Sequence, residues 1–581
     1  MRQDRHDGHH GPDGHHGPAG SAGSAGSAGP GGPGGPGRYG NGGELLVTVL
    51  RELGIDTVFG IVSVHNLPLV EAVDRELRFV PVRHEATAVN AADAYGRARG
   101  TIGCALTSTG TGAGNAAGSL IEALASGTSV LHITGQVESA FLGSGRGFIH
   151  ETKDQLGMLR AVSKYAATVP SADAAGRVLR EAAHAALTAP GGPASVEWPI
   201  DLQYAAGTDA PAPITAPALP APTEGELAAA GALLASARRP LIWAGGGAAR
   251  ARTELADLLT ATGAGLLTSN SGRGTVPEDH PQVIGNFATT PAGRALLADA
   301  DVLLTVGTHF RSNETADYGL ELPPSHIQID LDAAALGRVY PVDHALRGDA
   351  AAVVAALLPY AGAAEPGWTD RVTAIRGEVR AALHDTIGPQ AAICDAIRAA
   401  LPRRAVVARD VTIPSSSWGN RLLAVHDPRD NVFPRGGGIG QGLGMGIGAA
   451  LARPQDPTVV IAGDGGLAVH LGELLTLAQE RPRLTLLVFN DGGYGVLRNM
   501  QDRYGERRSG VDLVTPDFER LAGACGLPYL RIAAAEHARP VLDRAVASGG
   551  PTLVEVDLAA LGPMKTPFTP PVKIHGRGPG Q

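Results

Sequence analysis

VVIAGDGG, residues 459–466, and LTLLVFNDGG, residues 484–493, are two apolar runs that each end in an aspartate beside glycines. Each run has the length and composition of a buried strand, and Leu467–Gln479 between them has the pattern of a helix. A strand, a helix and a second parallel strand place both strand ends at one edge of a sheet, where ligands bind in open α/β sheets. We therefore expect Asp464 and Asp491 to lie side by side in one crevice.

The residues around these two aspartates favour a site for a metal and a phosphate. Two carboxylates suit a hard cation that prefers oxygen ligands. Glycines let backbone amides approach a phosphate closely, and the predicted helix N-terminus at Leu467 favours negative charge. In a chain with 80 glycines, Gly-Asp-Gly alone is also typical of a simple turn. The second aspartate, one strand–helix–strand unit later, favours a magnesium ion that bridges the carboxylates and a diphosphate.

Strands alternate with helices along most of the chain, which is typical of a parallel sheet covered on both faces. The predicted strands are Thr57–Ile61, Phe79–Val82, Gly103–Thr107, Ser129–Thr134, Pro240–Ala244, Asp301–Val306, His326–Ile329, Ala405–Arg409, Val459–Ala462 and Leu484–Phe489. Segments rich in Pro and Ala at 209–222 and 361–367 separate three groups of elements. The pattern predicts an α/β fold of three consecutive parallel-sheet domains, at residues 44–205, 223–360 and 385–560, followed by a tail at 561–581.

Residues 1–43 form a low-complexity segment in which Gly-His-His-Gly-Pro occurs twice and glycine then recurs every third residue. Such a segment buries little apolar surface, so we expect a disordered tail. Its histidines, His9, His10, His15 and His16, either bind a transition metal or are solvated side chains of that tail.

Charge and cysteine content exclude several functions. The net charge is -9, so the chain lacks the electrostatic footprint of a nucleic-acid-binding protein. Its three cysteines, Cys104, Cys394 and Cys525, are too far apart for a zinc motif or a disulfide framework, which fits a cytoplasmic protein. We find no apolar run long enough to span a membrane and no apolar signal core at the N-terminus.

Gly463-Asp464-Gly465, followed by Asn490-Asp491, resembles the signature of thiamine-diphosphate enzymes. The resemblance implies thiamine diphosphate and Mg²⁺ as cofactors, with Asp464, Asp491 and the carbonyl of Gly493 as metal ligands. It also implies pyrimidine-binding, central Rossmann-like and diphosphate-binding roles for the three domains, in that order. The expected contacts of the diphosphate half of the cofactor are Gly463, Asp464, Gly465, Gly466, Asp491 and Tyr494. The family usually has asparagine at the position of Asp491, so this chain adds a negative charge beside the diphosphate.

Arg83-His84-Glu85, at the end of a predicted strand, resembles the family segment whose glutamate hydrogen-bonds the aminopyrimidine ring. The resemblance implies that Glu85 promotes formation of the cofactor ylid, which attacks the carbonyl of a 2-oxo acid. Taken alone, Glu85 is also typical of an acid at a helix N-terminus. Similar matches predict cofactor contacts at Val62, Gly438 and Ile439, with Ile439 between the two cofactor rings. They also predict Gln136 and His150 as catalytic residues, in segments that match a family strand end and the Phe-Gln-Glu-Thr segment.

Within the family the sequence pattern resembles acetolactate synthase, but the acceptor half of the site differs. That branch has tryptophan where this chain has Met500 and arginine where it has His309, although Arg311 lies nearby. We therefore predict a 2-oxo acid decarboxylase or carboligase with a non-standard acceptor. A true acetolactate synthase and a non-catalytic relative remain alternatives. His65 is a candidate to line the same pocket as His150, and both are also typical of loop histidines.

Glu85 and Asp464 lie in different domains, yet one cofactor contacts both. In this family the two come from different subunits, so the resemblance further implies an active homodimer or homotetramer. The partner we expect is a small-molecule 2-oxo acid, with no nucleic acid and no membrane. FAD stays open: Gly245-Gly246-Gly247 after a strand is either a weak nucleotide-binding signal or a tight turn.

Overall fold

The computed structural model describes residues 37–210 and 218–570. The four tail histidines, most of the N-terminal tail and residues 571–581 lie outside the described residues. The described residues form three six-stranded parallel sheets, each flanked by helices, and one small two-stranded antiparallel sheet. The predicted α/β fold with three consecutive parallel sheets is therefore confirmed. No helix of the described part is long and apolar enough to cross a membrane.

The first large sheet contains, in spatial order, the strands Arg78–Pro81, Thr57–Gly60, Gly103–Thr107, Val130–Gln136, Pro193–Pro199 and Tyr165–Thr168. Its helices are Gly42–Glu52, Leu67–Glu76, Glu85–Arg99, Thr111–Ser126, Gln155–Val162, Ala175–Leu187 and Ile200–Tyr204. The small sheet pairs Gly37–Tyr39 with Gly207–Asp209. Gly37–Tyr39 belongs to the segment 1–43, for which the composition predicts disorder. That expectation is wrong for these three residues, because they pair with a strand far away in the sequence.

The second sheet contains Val283–Gly285, Gly265–Thr268, Pro240–Ala244, Val302–Val306, Ser325–Asp330 and His344–Arg347. In chain order this is the arrangement 3-2-1-4-5-6 of dinucleotide-binding folds. Its helices are Glu224–Ser236, Arg252–Thr262, Pro291–Asp299 and Ala350–Leu357. The helix Trp368–Thr386 follows, in a stretch for which the sequence reading gave no element. It packs back on this sheet, since the indole Nε1 of Trp368 donates to the carbonyl of Pro240 at 3.0 Å.

The third sheet contains Asn431–Val432, Val406–Arg409, Thr458–Gly463, Leu484–Asn490, Thr552–Asp557 and Tyr529–Ile532. Its helices are Gln390–Ala400, Gly442–Ala452, Asp464–Leu467, Glu473–Glu480, Gly495–Arg503, Phe518–Ala524, Ala538–Ala547 and Leu558–Leu561. The single helix predicted over Leu467–Gln479 is wrong. A short helix begins at Asp464, a 3₁₀ turn covers Ala468–His470, and Glu473–Glu480 is separate. Gly465, Gly466 and Gly472 weaken a continuous helix here.

The first and third units pack against each other through the helices Glu85–Arg99 and Gly442–Ala452. A Cβ at Gly448 would collide with the carbonyl oxygen of Ala91, so glycine is what lets the two helix backbones approach. Beside them, the ring of His84 lies 4.8 Å from the ring of His470. The segment that leads into Glu85 is therefore fixed against the third unit of the same chain.

Candidate functional site

The two aspartates lie next to each other at the carboxyl edge of the third sheet. The strands that precede them are adjacent, with Gly463 paired to Phe489. The backbone N–H of Asp491 donates to Oδ1 of Asp464 at 3.4 Å, while the buried Oδ2 of Asp464 has no hydrogen-bond partner. Burial raises the pKa of Asp464. Burial and the neighbouring Asp464 carboxylate raise the pKa of Asp491 to about 6. A buried carboxylate beside a half-buried one whose charge it destabilises fits a cation between them.

The carbonyl of Gly493 lies at the same turn. A Cβ built on Gly465 would lie 2.9 Å from the carbonyl oxygen of Gly493 and 2.9 Å from Cδ1 of Tyr494. Gly493 adopts φ 144°, where a Cβ would collide with the carbonyl oxygen of Val511, so glycine is required there. No cluster of three His, Cys, Asp or Glu side chains that could hold a metal occurs in residues 37–210 and 218–570. The donors at this turn are instead two carboxylates and one carbonyl, an oxygen set that fits Mg²⁺.

Arg498, on the helix Gly495–Arg503, partly compensates the charge of this turn, and the sequence reading missed it. Its guanidinium donates to the backbone carbonyls of Asp491 at 3.1 Å and Gly492 at 3.2 Å. It also lies 3.9 Å from the Asp491 carboxylate and forms an ion pair with Asp512. The aspartate in place of the family's asparagine is therefore accompanied by a nearby arginine, seven residues later in the sequence.

Two acids that sequence reasoning did not identify hold the loop of Gly438 and Ile439. Asp410, which follows the strand Val406–Arg409, accepts the N–H groups of Gly440 at 3.0 Å and Gly442 at 3.2 Å. Burial raises the pKa of Asp410 to about 6. Glu122, on the helix Thr111–Ser126, accepts N–H groups of Gly436 and Gly438. Ile439 remains 42% exposed between these anchors, free to contact a ligand.

Glu85 begins the helix Glu85–Arg99, whose N-cap is His84. Asn115 donates to Oε2 of Glu85 at 3.0 Å, and a Cβ on Gly112 would lie 2.9 Å from Oε1. The carboxylate is thus held against the N-terminal part of the helix Thr111–Ser126. Val62, after the strand Thr57–Gly60, is 55% exposed. An accessible acid and an exposed apolar side chain on this unit suit one end of an aromatic cofactor.

The side chain of Gln136 lies in a buried polar network at the end of the strand Val130–Gln136. Its side chain is only 3% exposed, and its Nε2 donates to Glu197 at 3.0 Å. Its Oε1 accepts the N–H of Val137 at 2.8 Å and the hydroxyl of Thr109. The Gln136 amide is therefore hydrogen-bonded within a buried polar network, and its catalytic role stays a prediction. Residue type and position along the strand could not show which way the side chain points.

His150 lies in the same region as Glu85. Its backbone carbonyl is close to Gly110, two residues before Gly112, and its ring nitrogen Nδ1 lies 3.0 Å from Nε2 of His65. His150 is exposed, whereas His65 is buried. The structure therefore brings together the two histidines that the sequence suggested for one pocket.

Three residues, His309, Arg311 and Met500, lie at or near the positions where the acceptor half of the site is expected to differ from acetolactate synthase. His309 is 49% exposed, with Nε2 3.7 Å from the Asp330 carboxylate. Arg311 donates to the backbone carbonyls of Arg435 and Ala125, so its guanidinium joins the three units together. These contacts do not favour Arg311 as a substitute for the arginine that acetolactate synthases have at the position of His309. Met500 lies half-buried in the helix Gly495–Arg503.

The glycine turn after Pro240–Ala244 has little capacity left for a nucleotide phosphate. The N–H of Gly245 donates to the carbonyl of Val306, and the N–H of Gly247 donates to that of Gly307. Both contacts close the turn against the loop after Val302–Val306. This geometry favours the tight-turn interpretation of the three glycines over a flavin-binding one.

Comparison with known proteins matches each of the three units to a domain of one family. Residues 40–158 match the N-terminal TPP binding domain of thiamine pyrophosphate enzymes, residues 227–357 their central domain and residues 414–556 their C-terminal TPP binding domain. Thiamine pyrophosphate (TPP) is another name for thiamine diphosphate.

Three curated relatives align along nearly their full length. A probable 2-ketoarginine decarboxylase of Pseudomonas aeruginosa is 34% identical over 522 residues, covering 88% of this chain and 93% of the relative. The acetolactate synthase isozyme 2 large subunit of Escherichia coli is 30% identical over 549 residues, covering 91% and 98%. A probable acetolactate synthase large subunit of Methanocaldococcus jannaschii is 28% identical over 557 residues, covering 90% and 93%. The chain belongs to the thiamine pyrophosphate enzyme family and contains all three of its domains.

Proposed function

We propose that the protein is a thiamine-diphosphate- and Mg²⁺-dependent 2-oxo acid decarboxylase or carboligase. The observation that carries the proposal is the turn of Asp464, Asp491 and Gly493, where two carboxylates lie side by side and a buried oxygen of Asp464 lacks a partner. Glu85, accessible on the first unit, supplies the second group that the chemistry needs. The family membership supports the same assignment.

Each part of the site has a distinct task in this proposal. Asp464, Asp491 and the carbonyl of Gly493 would hold Mg²⁺ and through it the diphosphate. Glu85 would hold a proton at the aminopyrimidine ring, and Ile439 would fix the angle between the two rings. The bound cofactor would supply the electron sink for carbon–carbon bond cleavage next to the carbonyl. The protein contributes orientation, one acid and exclusion of water.

Decarboxylation is favoured over acetolactate synthesis by the acceptor half of the site. A second 2-oxo acid needs a cation for its carboxylate, and an arginine provides a bidentate partner. Here His309 faces Asp330, and the Arg311 guanidinium is bonded to two backbone carbonyls. True acetolactate synthase remains the second candidate, because relatives with that name align along most of the chain. The presence of both Glu85 and Asp464 speaks against a non-catalytic relative.

The substrate class follows partly from the relatives. The decarboxylase relative is named for 2-ketoarginine, a 2-oxo acid with a long basic side chain, and it shares 34% of aligned residues with this chain. We propose that a 2-oxo acid larger than pyruvate is accepted here. FAD is no part of the proposal.

We further propose that the active form is a homodimer or homotetramer and that it works in the cytoplasm. Val62 and Ile439 are exposed apolar side chains on the two halves of the site, and a second copy would shield such surface. The described cysteines, Cys104, Cys394 and Cys525, are free thiols, which fits a reducing compartment.

The test is a panel of 2-oxo acids that includes pyruvate and 2-ketoarginine, each assayed alone and with an aldehyde acceptor. Carbon dioxide release and product identification are the readouts, with Glu85→Gln as the inactive control. We expect release of carbon dioxide with a long-chain 2-oxo acid and little acetolactate from pyruvate. Efficient acetolactate formation from pyruvate alone would replace the proposal by its alternative.

A further inference from the structure

His65 and His150 form a hydrogen-bonded pair of imidazoles beside the turn that holds Glu85. Nε2 of His65 lies 3.0 Å from Nδ1 of His150, and the rings meet edge to face at 5.1 Å. His65 is 5% exposed, and its Nδ1 is buried without a hydrogen-bond partner. The backbone of His65 is also held in place, because the side-chain amide of Gln203 donates to its carbonyl at 2.8 Å. The position of the His65 ring is therefore set by the fold.

The single hydrogen bond between the rings links their tautomers. Only one proton can lie between Nε2 of His65 and Nδ1 of His150. If it belongs to His65, the other nitrogen of His65 is a bare lone pair, and neutral His150 must carry its proton on Nε2. If it belongs to His150, His65 keeps its proton on Nδ1 as a buried N–H without an acceptor. Orphaned buried N–H groups are the rarer case in proteins, and the Nε2–H tautomer is the more stable form of a neutral histidine side chain. Burial, and then the neighbouring His150, lower the pKa of His65, so His65 stays neutral near pH 7.

His150 is held where it can meet a ligand. It has φ 68°, in the left-handed region that non-glycine residues seldom adopt, and its carbonyl lies against Gly110. Gly110 is the N-cap of the helix Thr111–Ser126, and Glu85 lies against Gly112 in the first turn of that helix. In the described part of the chain, Nε2 of the exposed His150 has no hydrogen-bond partner. Residues kept in unfavourable backbone conformations cluster at functional sites, because the surrounding structure must hold them there.

We propose that His65 is a positioning residue that fixes His150 as a neutral imidazole with its proton on Nε2, and that this N–H donates a hydrogen bond to an oxygen atom of the bound 2-oxo acid. The proposal rests on the proposed function for the identity of the ligand. The tautomer itself depends only on the contacts of this chain. His150 would then touch substrate as a catalytic residue, whereas His65 would act only through His150.

The tautomer can be measured without cofactor or substrate. In the cofactor-free protein with ¹⁵N-labelled histidine, two-bond and three-bond correlations distinguish Nε2–H from Nδ1–H imidazole. The spectrum of His150→Asn identifies the His150 signals by their absence. We expect a neutral Nε2–H ring for His150 at pH 7.5, and an altered tautomer ratio in His65→Phe. An Nδ1–H ring or a doubly protonated ring in the wild-type protein would overturn the proposal.

Three variants separate a substrate contact from a loop anchor. Asparagine tolerates a positive φ, and its Oδ1 can accept the His65 bond, but it has no atom at the Nε2 position. His150→Asn should therefore keep the loop and lower kcat/KM for carbon dioxide release by roughly ten- to a hundredfold, the effect of one lost hydrogen bond to a charged ligand. His65→Phe should lower it similarly, whereas His65→Gln, whose amide can donate to Nδ1 of His150, should restore most of the activity.

The outcomes are distinct. Near-wild-type kcat/KM in His150→Asn would show that the pair only anchors the loop, and would overturn the substrate contact. Equal losses in His65→Gln and His65→Phe would overturn the positioning role. If the wild-type protein releases no carbon dioxide from any 2-oxo acid while His150 shows the Nε2–H tautomer, the proposed function and the substrate contact fail together, and the tautomer assignment stands.

Discussion

Replacing Glu85 by glutamine should remove turnover and leave the fold and the metal half of the site intact. Asn115 donates to Oε2 of Glu85 at 3.0 Å, and a glutamine carbonyl can accept the same bond. The lost charge at the first position of a helix is worth about 0.3–1 kcal/mol, so the unfolding free energy should change by no more than that. An amide cannot hold or return a proton at the cofactor ring. Loss of such a group slows turnover by roughly 10²–10⁴-fold, or about 3–5 kcal/mol of activation free energy.

The assay is carbon dioxide release from the best 2-oxo acid of the panel, with cofactor affinity measured by calorimetry on the same samples. Glu71→Gln, an exposed acid on the helix Leu67–Glu76 of the same unit, is the matched control and should behave like the wild type. Activity of Glu85→Gln within a few-fold of the wild type would refute the assigned role. A loss of cofactor binding as large as the loss of turnover would show that Glu85 binds the cofactor without acting on its proton.

Three further predictions concern stability and assembly. Arg273 and Glu278 form a fully buried ion pair, and Arg273 also donates to a backbone carbonyl in the loop before Asn431–Val432. Arg273→Met should therefore lower the unfolding free energy by about 3–5 kcal/mol in denaturant titrations. The control Arg177→Met, which removes an exposed ion pair, should lower it by less than about 1 kcal/mol. Burial lowers the pKa of His132 to about 4. Because the unfolded chain takes up this proton near pH 6.5 and the folded chain only near pH 4, stability should fall as pH drops between these values, by up to about 3 kcal/mol, and His132→Gln should lessen the fall. Sedimentation should show the active enzyme as a dimer or larger, and a fully active monomer would contradict the proposed assembly.

The sequence predicted the architecture well because its signals were local. Short aliphatic runs such as Val302–Val306 have the length of buried strands, and the turns after them contain glycine. The single helix predicted over Leu467–Gln479 failed because the apolar periodicity continues across the 3₁₀ turn Ala468–His470, which separates two helices. The helix Trp368–Thr386 was missed because its neighbourhood is rich in alanine and proline and resembles a linker.

The site was predicted only in part, for a similar reason. Asp464 and Asp491 are adjacent because of strand order, which the sequence pattern implies. Asp410 and Glu122 hold the loop of Ile439 from positions about 30 and more than 300 residues away, and such contacts depend on tertiary packing. Gln136 occupies a strand end that suggested catalysis, but the direction of its side chain is set by the buried network around Glu197.

Calorimetric titration of the purified protein with thiamine diphosphate, with and without Mg²⁺, tests the central claim most directly. The oxygen donors at Asp464, Asp491 and Gly493 predict that tight binding requires Mg²⁺. They also predict that Asp464→Ala weakens binding by at least roughly ten- to a hundredfold, the range seen even for supporting residues of metal sites. Asp543→Ala, an exposed acid of the same unit, should bind like the wild type. Unchanged thiamine diphosphate and Mg²⁺ affinity in Asp464→Ala would contradict the assignment of this turn as the cofactor site.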